Sequence, residues 1–211
     1  MQNSVEICQM TSEMLESVTY VHLQAFKGAM NTRLGKRYLR KFFDWFIEVK
    51  GGIALVAILQ NGDQEQIVGY VVGAPLGYGK NMNRDLLWVT GLNVLIRPWV
   101  FLSKDFRNIL KVRLKALICS SSHDQISEID LPAPVQSLVG IGVMPNQQGN
   151  SIGKELLCAF EKRARGFNVR SLRLSVYPEN SAACRVYEKC RWLRSESLVV
   201  PGKSISYYKT L

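Results

Sequence analysis

The stretch NQQGNSIGKELL, from Asn146 to Leu157, carries the residue types and spacing most able to do chemistry. Gly149 and Gly153 stand between the apolar run SLVGIGVMP (Ser137 to Pro145) and an amphipathic run. A glycine-rich turn between a strand and a helix aims consecutive backbone N–H groups outward, at the positive end of the helix dipole, where an anion is held. Two nucleotide-binding patterns fail here. G-x-G-x-x-G is absent, and G-x-x-x-x-G-K-[ST] is absent because the glycines are one residue too close and Glu155 follows Lys154. Spacing alone therefore leaves an anion cradle and a tight corner on equal terms. Other reactive types are scarce. The chain has two histidines, His22 and His123, and five scattered cysteines with no C-x-x-C pair, so zinc sites and Ser-His-Asp triads lack material. Metal-free chemistry and free thiols in a reducing cytoplasm are the expectation.

Elements must position that turn. SVEICQM (Ser4 to Met10) reads as a strand, after which Thr11 or Ser12 can cap a helix with Met14, Val18, Val21 and Ala25 on one stripe and His22 packing at its edge. Lys36 to Lys50 repeats the helical pattern with Leu39, Phe42, Phe43 and Phe46 on one face, ended by Gly51-Gly52. IALVAIL and QIVGYVVG flank Asn61-Gly62, a hairpin signal. The pattern from Ala74 to about Ser122 is helical, broken at Pro98, and reads as an insertion. Ser137 to Pro145, Ser151 to Gly166 and RSLRLSVYP then form strand, helix and strand, a β-α-β unit. SAACRVYEKC is a helix capped by Asn180, and WLRSESLVV, Pro201-Gly202 and SISYYKTL close with a hairpin.

VMPNQQGNSIGKELL followed by VYPENSAACRVYEK resembles the GNAT superfamily of N-acetyltransferases. Its cofactor motif is a strand ending in V-x-P, then [QR]-x-x-G-x-[GA], then a helix; Gln148, Gly149, Asn150, Ser151, Ile152 and Gly153 occupy the second part. Its later motif is matched by Asn180, Ala183 and Tyr187. The resemblance implies one GNAT domain over residues 1–211, an α/β fold with a mixed, mostly antiparallel sheet flanked by helices, and a helical insertion around 74–122. It implies acetyl-CoA as cofactor, with its pyrophosphate over the amides of Gln148 to Lys154 and its pantetheine along Ile141, Gly142 and Val143. Asn180, Ala183 and Tyr187 complete that surface. For catalysis it implies direct amine attack, an oxyanion held by a backbone N–H near Val143, and a proton from Tyr187 to the departing thiolate. The strand has no carboxylate, so Glu128, Asp130 and His123 are the candidate bases beside a water relay. Cys184 and Cys190 read as packing residues. Two departures stand out: Ser151 replaces a glycine of the phosphate turn, and Arg191-Trp192 replaces Gly-Phe after the last helix.

A formal charge of +10 implies an anionic ligand. Lys27 to Lys50 holds seven basic residues against two acidic, and Arg97 to Lys115 six against one. No nucleic-acid signature accompanies them, so no nucleic acid is expected. The apolar run Leu86 to Leu102 is interrupted by Asn93, Arg97 and Pro98 and falls short of a membrane span. With no secretion signal in view, the location expected is cytoplasmic. The insertion and the N-terminal helices weakly resemble superfamily members of bacterial surface-polysaccharide synthesis. The expected acceptor is then the primary amine of a small molecule, a nucleotide-linked amino sugar suiting Lys27, Arg33, Lys36 and Arg37; a homodimer is compatible. The alternatives are a protein N-terminal or lysine acetyltransferase and an inactive acyl-CoA-binding regulatory module.

Overall fold

A computed structural model describes residues 4–27, 32, 34–62, 64–86, 131–195 and 204–211. Strand β1 (Ser4–Gln9) leads through a short 3-10 turn into helix α1 (Leu15–Ala25), and α2 (Lys36–Glu48) follows. The hairpin β2 (Ile53–Asn61) and β3 (Gln64–Pro75) comes next, with Gly62 at φ +62° supplying the left-handed residue that a tight turn needs. Then come β4 (Val135–Val143), α3 (Ile152–Gly166), β5 (Ser171–Val176), α4 (Ser181–Lys189), β6 (Leu193–Arg194) and β7 (Ile205–Thr210).

The seven described strands form one sheet in the order β1-β2-β3-β4-β5-β7-β6. Only β4 and β5 run parallel, as a β-α-β crossover requires. Helix α3 covers one face: a Cβ on Gly73 would lie 2.5 Å from the Phe160 ring, and one on Gly69 would lie 2.9 Å from Leu156. Those glycines let α3 sit down on the sheet. Helices α1 and α2 cover the other face. Leu39, Phe42, Phe43 and Phe46 are buried as their helical spacing predicts, each contributing about 1.5–3 kcal/mol.

Two expectations are corrected. Neither Thr11 nor Ser12 makes a side-chain cap, because a 3-10 turn intervenes and Met14 occupies the cap of α1. Ala74 and Pro75 belong to β3, paired with Ser137 and Gln136, so the expected insertion starts later; residues 78–86 are helical and 87–130 lie outside the described residues. His22 packs as expected, buried within the aromatic core, and is hydrogen-bonded there. The turn Pro201-Gly202 also lies outside the described residues. No helix among them is long and apolar enough to cross a membrane.

Candidate functional site

Strands β4 and β5 pair over three positions only, Val135 to Ser137 against Ser171 to Arg173. Beyond them β5 pairs with β7 on its other side, and β4 stays with β3. A bulge marks the divergence. Val72 opposes Gly140 and Gly73 opposes Leu138, so Val139 is an extra residue that bends β4 away. The Met144 amide donates to Val68 O at 2.8 Å on the β3 side. Alternation then turns the backbone groups of Ile141 and Val143 toward the opening, while Gly142 faces β3. An unpaired strand edge of this kind can pair with an extended ligand.

At the end of β4 the chain enters the glycine turn. Gln148 Nε2 donates to Val143 O at 3.2 Å, and Asn150 Nδ2 donates to Gln147 Oε1 at 3.3 Å, which ties the turn to the strand. Gly149 has φ +88° and Ser151 φ +62°, so two left-handed residues wrap the backbone around an open space. The Ser151 carbonyl accepts from the Glu155 amide at 3.0 Å. Among the described residues, the amides of Gly149 to Lys154 have no backbone acceptor. Nothing lies within 4 Å of where a Gly149 Cβ would be. Six outward amides at a helix N-terminus can hold an anion such as a pyrophosphate. Ser151 is at a left-handed position, which explains why a glycine is usual there.

Helix α4 starts as expected, with Asn180 Oδ1 accepting from the Ala183 amide at 3.2 Å. That bond occupies Asn180 as a cap. Tyr187, 4% exposed, packs against Trp192 and Tyr207 at centroid distances of 6.0 and 5.7 Å. Burial first, and Cys184 second, raise its phenol pKa well above the usual value, so it keeps its proton through the working range. Behind it, Arg191 takes φ +61° and Trp192 Nε1 donates to the buried Glu161 at 2.8 Å. The departure from Gly-Phe thus keeps the left-handed backbone and adds an anchor to α3. Burial raises the Cys190 thiol as well, which leaves it inert.

One residue of the site was not singled out from sequence. Tyr70 of β3 turns its ring against Gly142, where a Cβ would meet Tyr70 Cε1 at 2.8 Å and Phe26 Cε2 at 2.9 Å. The Tyr70 hydroxyl is 2.6 Å from His22 Nδ1. Burial drives the Tyr70 pKa upward, so this phenol too keeps its proton. A tyrosine within QIVGYVVG reads as apolar filling; its hydroxyl acquires meaning only from His22, 48 positions earlier. Glu128, Asp130 and His123 lie outside the described residues. Among the described residues no cluster of His, Cys, Asp and Glu could hold a metal.

A bulged strand parting from its parallel neighbour, opening onto a turn of free amides, matches known proteins. Residues 114–191 match the profile of the Acetyltransferase (GNAT) family. That segment is similar to a GNAT acetyltransferase domain. The GNAT likeness extends beyond that segment: the PaiA N-acetyltransferase of Thermoplasma acidophilum, solved in complex with coenzyme A, superposes with a TM-score of 0.60 at 15% identity, over 99% of each chain. The aminoglycoside N-acetyltransferase AAC(6')-Iy, also in complex with CoA, gives 0.61 at 14% identity over 96% of this chain and 97% of that one. The ribosomal-protein-S18-alanine N-acetyltransferase of Escherichia coli gives 0.54 at 12%, over 99% of this chain and 93% of that one. At these identities the likeness is one of fold. No curated protein sequence matches the chain.

Proposed function

We propose that this GNAT domain transfers an acetyl group from acetyl-CoA to the primary amine of a small, anionic acceptor, a nucleotide-linked amino sugar being the type that suits its charge. The observation that carries the reading is the continuous surface from the unpaired edge of β4 to the free amides of Gly149 to Lys154. The residues fit coenzyme A. Gln148 to Lys154 would hold its pyrophosphate, Lys154 adding a cation, and the backbone of Ile141 and Val143 would pair with its pantetheine. Ala183, half-buried and four residues before Tyr187 on α4, leaves room beside that edge. Bound acetyl-CoA supplies an acetyl group activated as a thioester.

Around that group the chain's own side chains divide the proton work. The Val143 amide, turned to the opening, donates to negative charge that develops on a carbonyl oxygen. Tyr187 holds a proton at Oη and offers it to a departing sulfur. Tyr70, fixed by the neutral His22, holds a second hydroxyl near Gly140 but keeps its own proton, so with no carboxylate on β4 the proton of the attacking amine leaves through a water relay or one of Glu128, Asp130 and His123. The +10 charge favours an anionic acceptor over a cationic peptide.

Thiol release from acetyl-CoA by the purified chain, with a panel of nucleotide-linked amino sugars, polyamines and peptides, is the test. Turnover with an anionic amino sugar, reduced at least tenfold in kcat by Tyr187→Phe, is the result expected. Tight coenzyme A binding with no turnover for any amine, in wild type and variant alike, would leave a binding module instead.

A further inference from the structure

A cavity of about 950 Å³ opens between the N-terminal half of α1, the outer face of α2 and the β2–β3 hairpin. It is the size of a small-molecule site. No residue of β4, α3 or α4 lines it, so it is not the opening beside Tyr187.

Its α2 wall is electrostatically unusual. Lys36, Arg37 and Arg40 line it, and the first two occupy the opening turn of α2, where the helix dipole already places positive charge. That turn contains no acidic residue, and its cap, Gly35 at φ +87°, offers no side-chain acceptor. Nearby acids do not neutralise it. Asp44 is paired with Lys41 at 3.0 Å, and Glu65 accepts from Gln60 at 2.7 Å. Glu16 and Glu65 enter from the α1 and β3 walls, so the positive seat is confined to α2. Among the described residues, Lys36, Arg37 and Arg40 have no ion-pair partner. An independent observation comes from α1. Thr19 lines the same cavity, is 2% exposed, and its hydroxyl has no hydrogen-bond partner among the described residues. A buried hydroxyl without a partner is costly unless something else satisfies it.

We infer that this cavity is a second ligand site, separate from the acetyl-transfer opening, and that it takes a small phosphate-bearing anion. Arg37 and Arg40, three apart on one helix face, offer two planar forks to phosphate oxygens. Lys36, in the first turn of α2, faces the same charge. Thr19 marks the inner end, where a hydroxyl or phosphoryl oxygen of the ligand meets its unspent group. The three cations oppose the dipole of their own helix, so the empty site is strained electrostatically and an anion relieves it.

Inorganic pyrophosphate is the probe, titrated calorimetrically into the full chain with saturating coenzyme A present, so that the amides of Gly149 to Lys154 are occupied. Saturable binding of one pyrophosphate per chain is expected, weakened about tenfold or more by Arg37→Gln with Arg40→Gln. The same double variant should melt at a higher temperature than wild type without the probe, since it removes unfavourable charge from α2. Lack of saturable binding, binding indifferent to the double variant, or displacement of pyrophosphate by coenzyme A would each overturn the inference. If the chain proves unable to bind coenzyme A, the dependence on Arg37 and Arg40 still decides this site separately from the acetyl-transfer reading.

Discussion

His22 Nδ1 of α1 lies 2.6 Å from the Tyr70 hydroxyl of β3, while His22 Nε2 has no partner among the described residues. Both side chains are buried, His22 between the rings of Phe26 and Phe43. Burial pushes the imidazole pKa down to about 4, so this histidine is neutral at any physiological pH and serves as a fixed hydrogen-bond partner. It sets the direction of the Tyr70 hydroxyl at the point where β4 leaves β5.

The pair makes the fold acid-sensitive over a definite range. Between pH 6.5 and about 4 the unfolded chain binds a proton at His22 that the folded chain refuses. The stability that the neutral imidazole contributes is therefore complete above pH 6.5 and is lost as pH falls toward 4, up to roughly 3 kcal/mol in total. Urea unfolding at stepped pH should show a flatter dependence in this window for His22→Gln than for wild type. Equal slopes would mean that other groups govern the acid limb.

Ser151 is held at φ +62° by the turn that ends in α3. A left-handed residue with a Cβ costs about 1 kcal/mol that glycine avoids. Ser151→Gly should raise the stability by about that amount and leave coenzyme A affinity equal or greater, whereas the β-branched Ser151→Val should lower both. Paired melting curves and calorimetric titrations separate the two directions.

These positions show what the sequence can and cannot disclose. The Asn180 cap, the alternation of Leu172, Leu174 and Val176 and the helix ending at Gly166 are local, and each is read correctly from neighbours a few residues away. The two departures from the family pattern, Ser151 and Arg191, read from sequence only as missing glycines; the backbone supplies the reason, since both are left-handed. The bond between Tyr70 and His22 escaped notice because it joins elements distant in the chain, and a lone histidine beside an apolar stripe gives no sign of its partner. The parting of β4 from β5 is likewise a property of pairing. No single strand encodes it, although Gly140 and Gly142 hint at a close approach.

Gly142 makes that approach testable. A side chain there would meet the Tyr70 ring at 2.8 Å and Phe26 at 2.9 Å, and neither ring can withdraw without breaking the contact with His22. Gly142→Val should cost about 1–3 kcal/mol through overpacking and reduce kcat more than the affinity for coenzyme A. Gly166→Ala, at the end of α3 with nothing within 4 Å, is the control and should change stability by less than about 0.5 kcal/mol.

Behind Tyr187, Glu161 joins three elements. It accepts from Trp192 Nε1 at 2.8 Å and from Lys209 Nζ at 2.7 Å, and Lys209 also donates to Cys190 O at 2.8 Å, at the end of α4. Glu161 is buried, so removing one partner leaves a charge uncompensated in a dry place. Glu161→Leu alone strands the Lys209 ammonium and should cost about 3–5 kcal/mol, whereas Lys209→Met leaves the carboxylate with Trp192 and with Arg165 at 4.0 Å and should cost less. The double variant leaves neither charge behind and should cost clearly less than the sum of the two. A double-mutant cycle from urea denaturation measures the difference, and strict additivity would show that the ion pair contributes nothing. Because the Trp192 amide donates to the Tyr187 carbonyl at 3.0 Å, loosening this anchor shifts the end of α4 that carries the phenol. Glu161→Leu should therefore lower kcat at temperatures where the variant is still folded, while Lys209→Met with Glu161→Leu restores part of it.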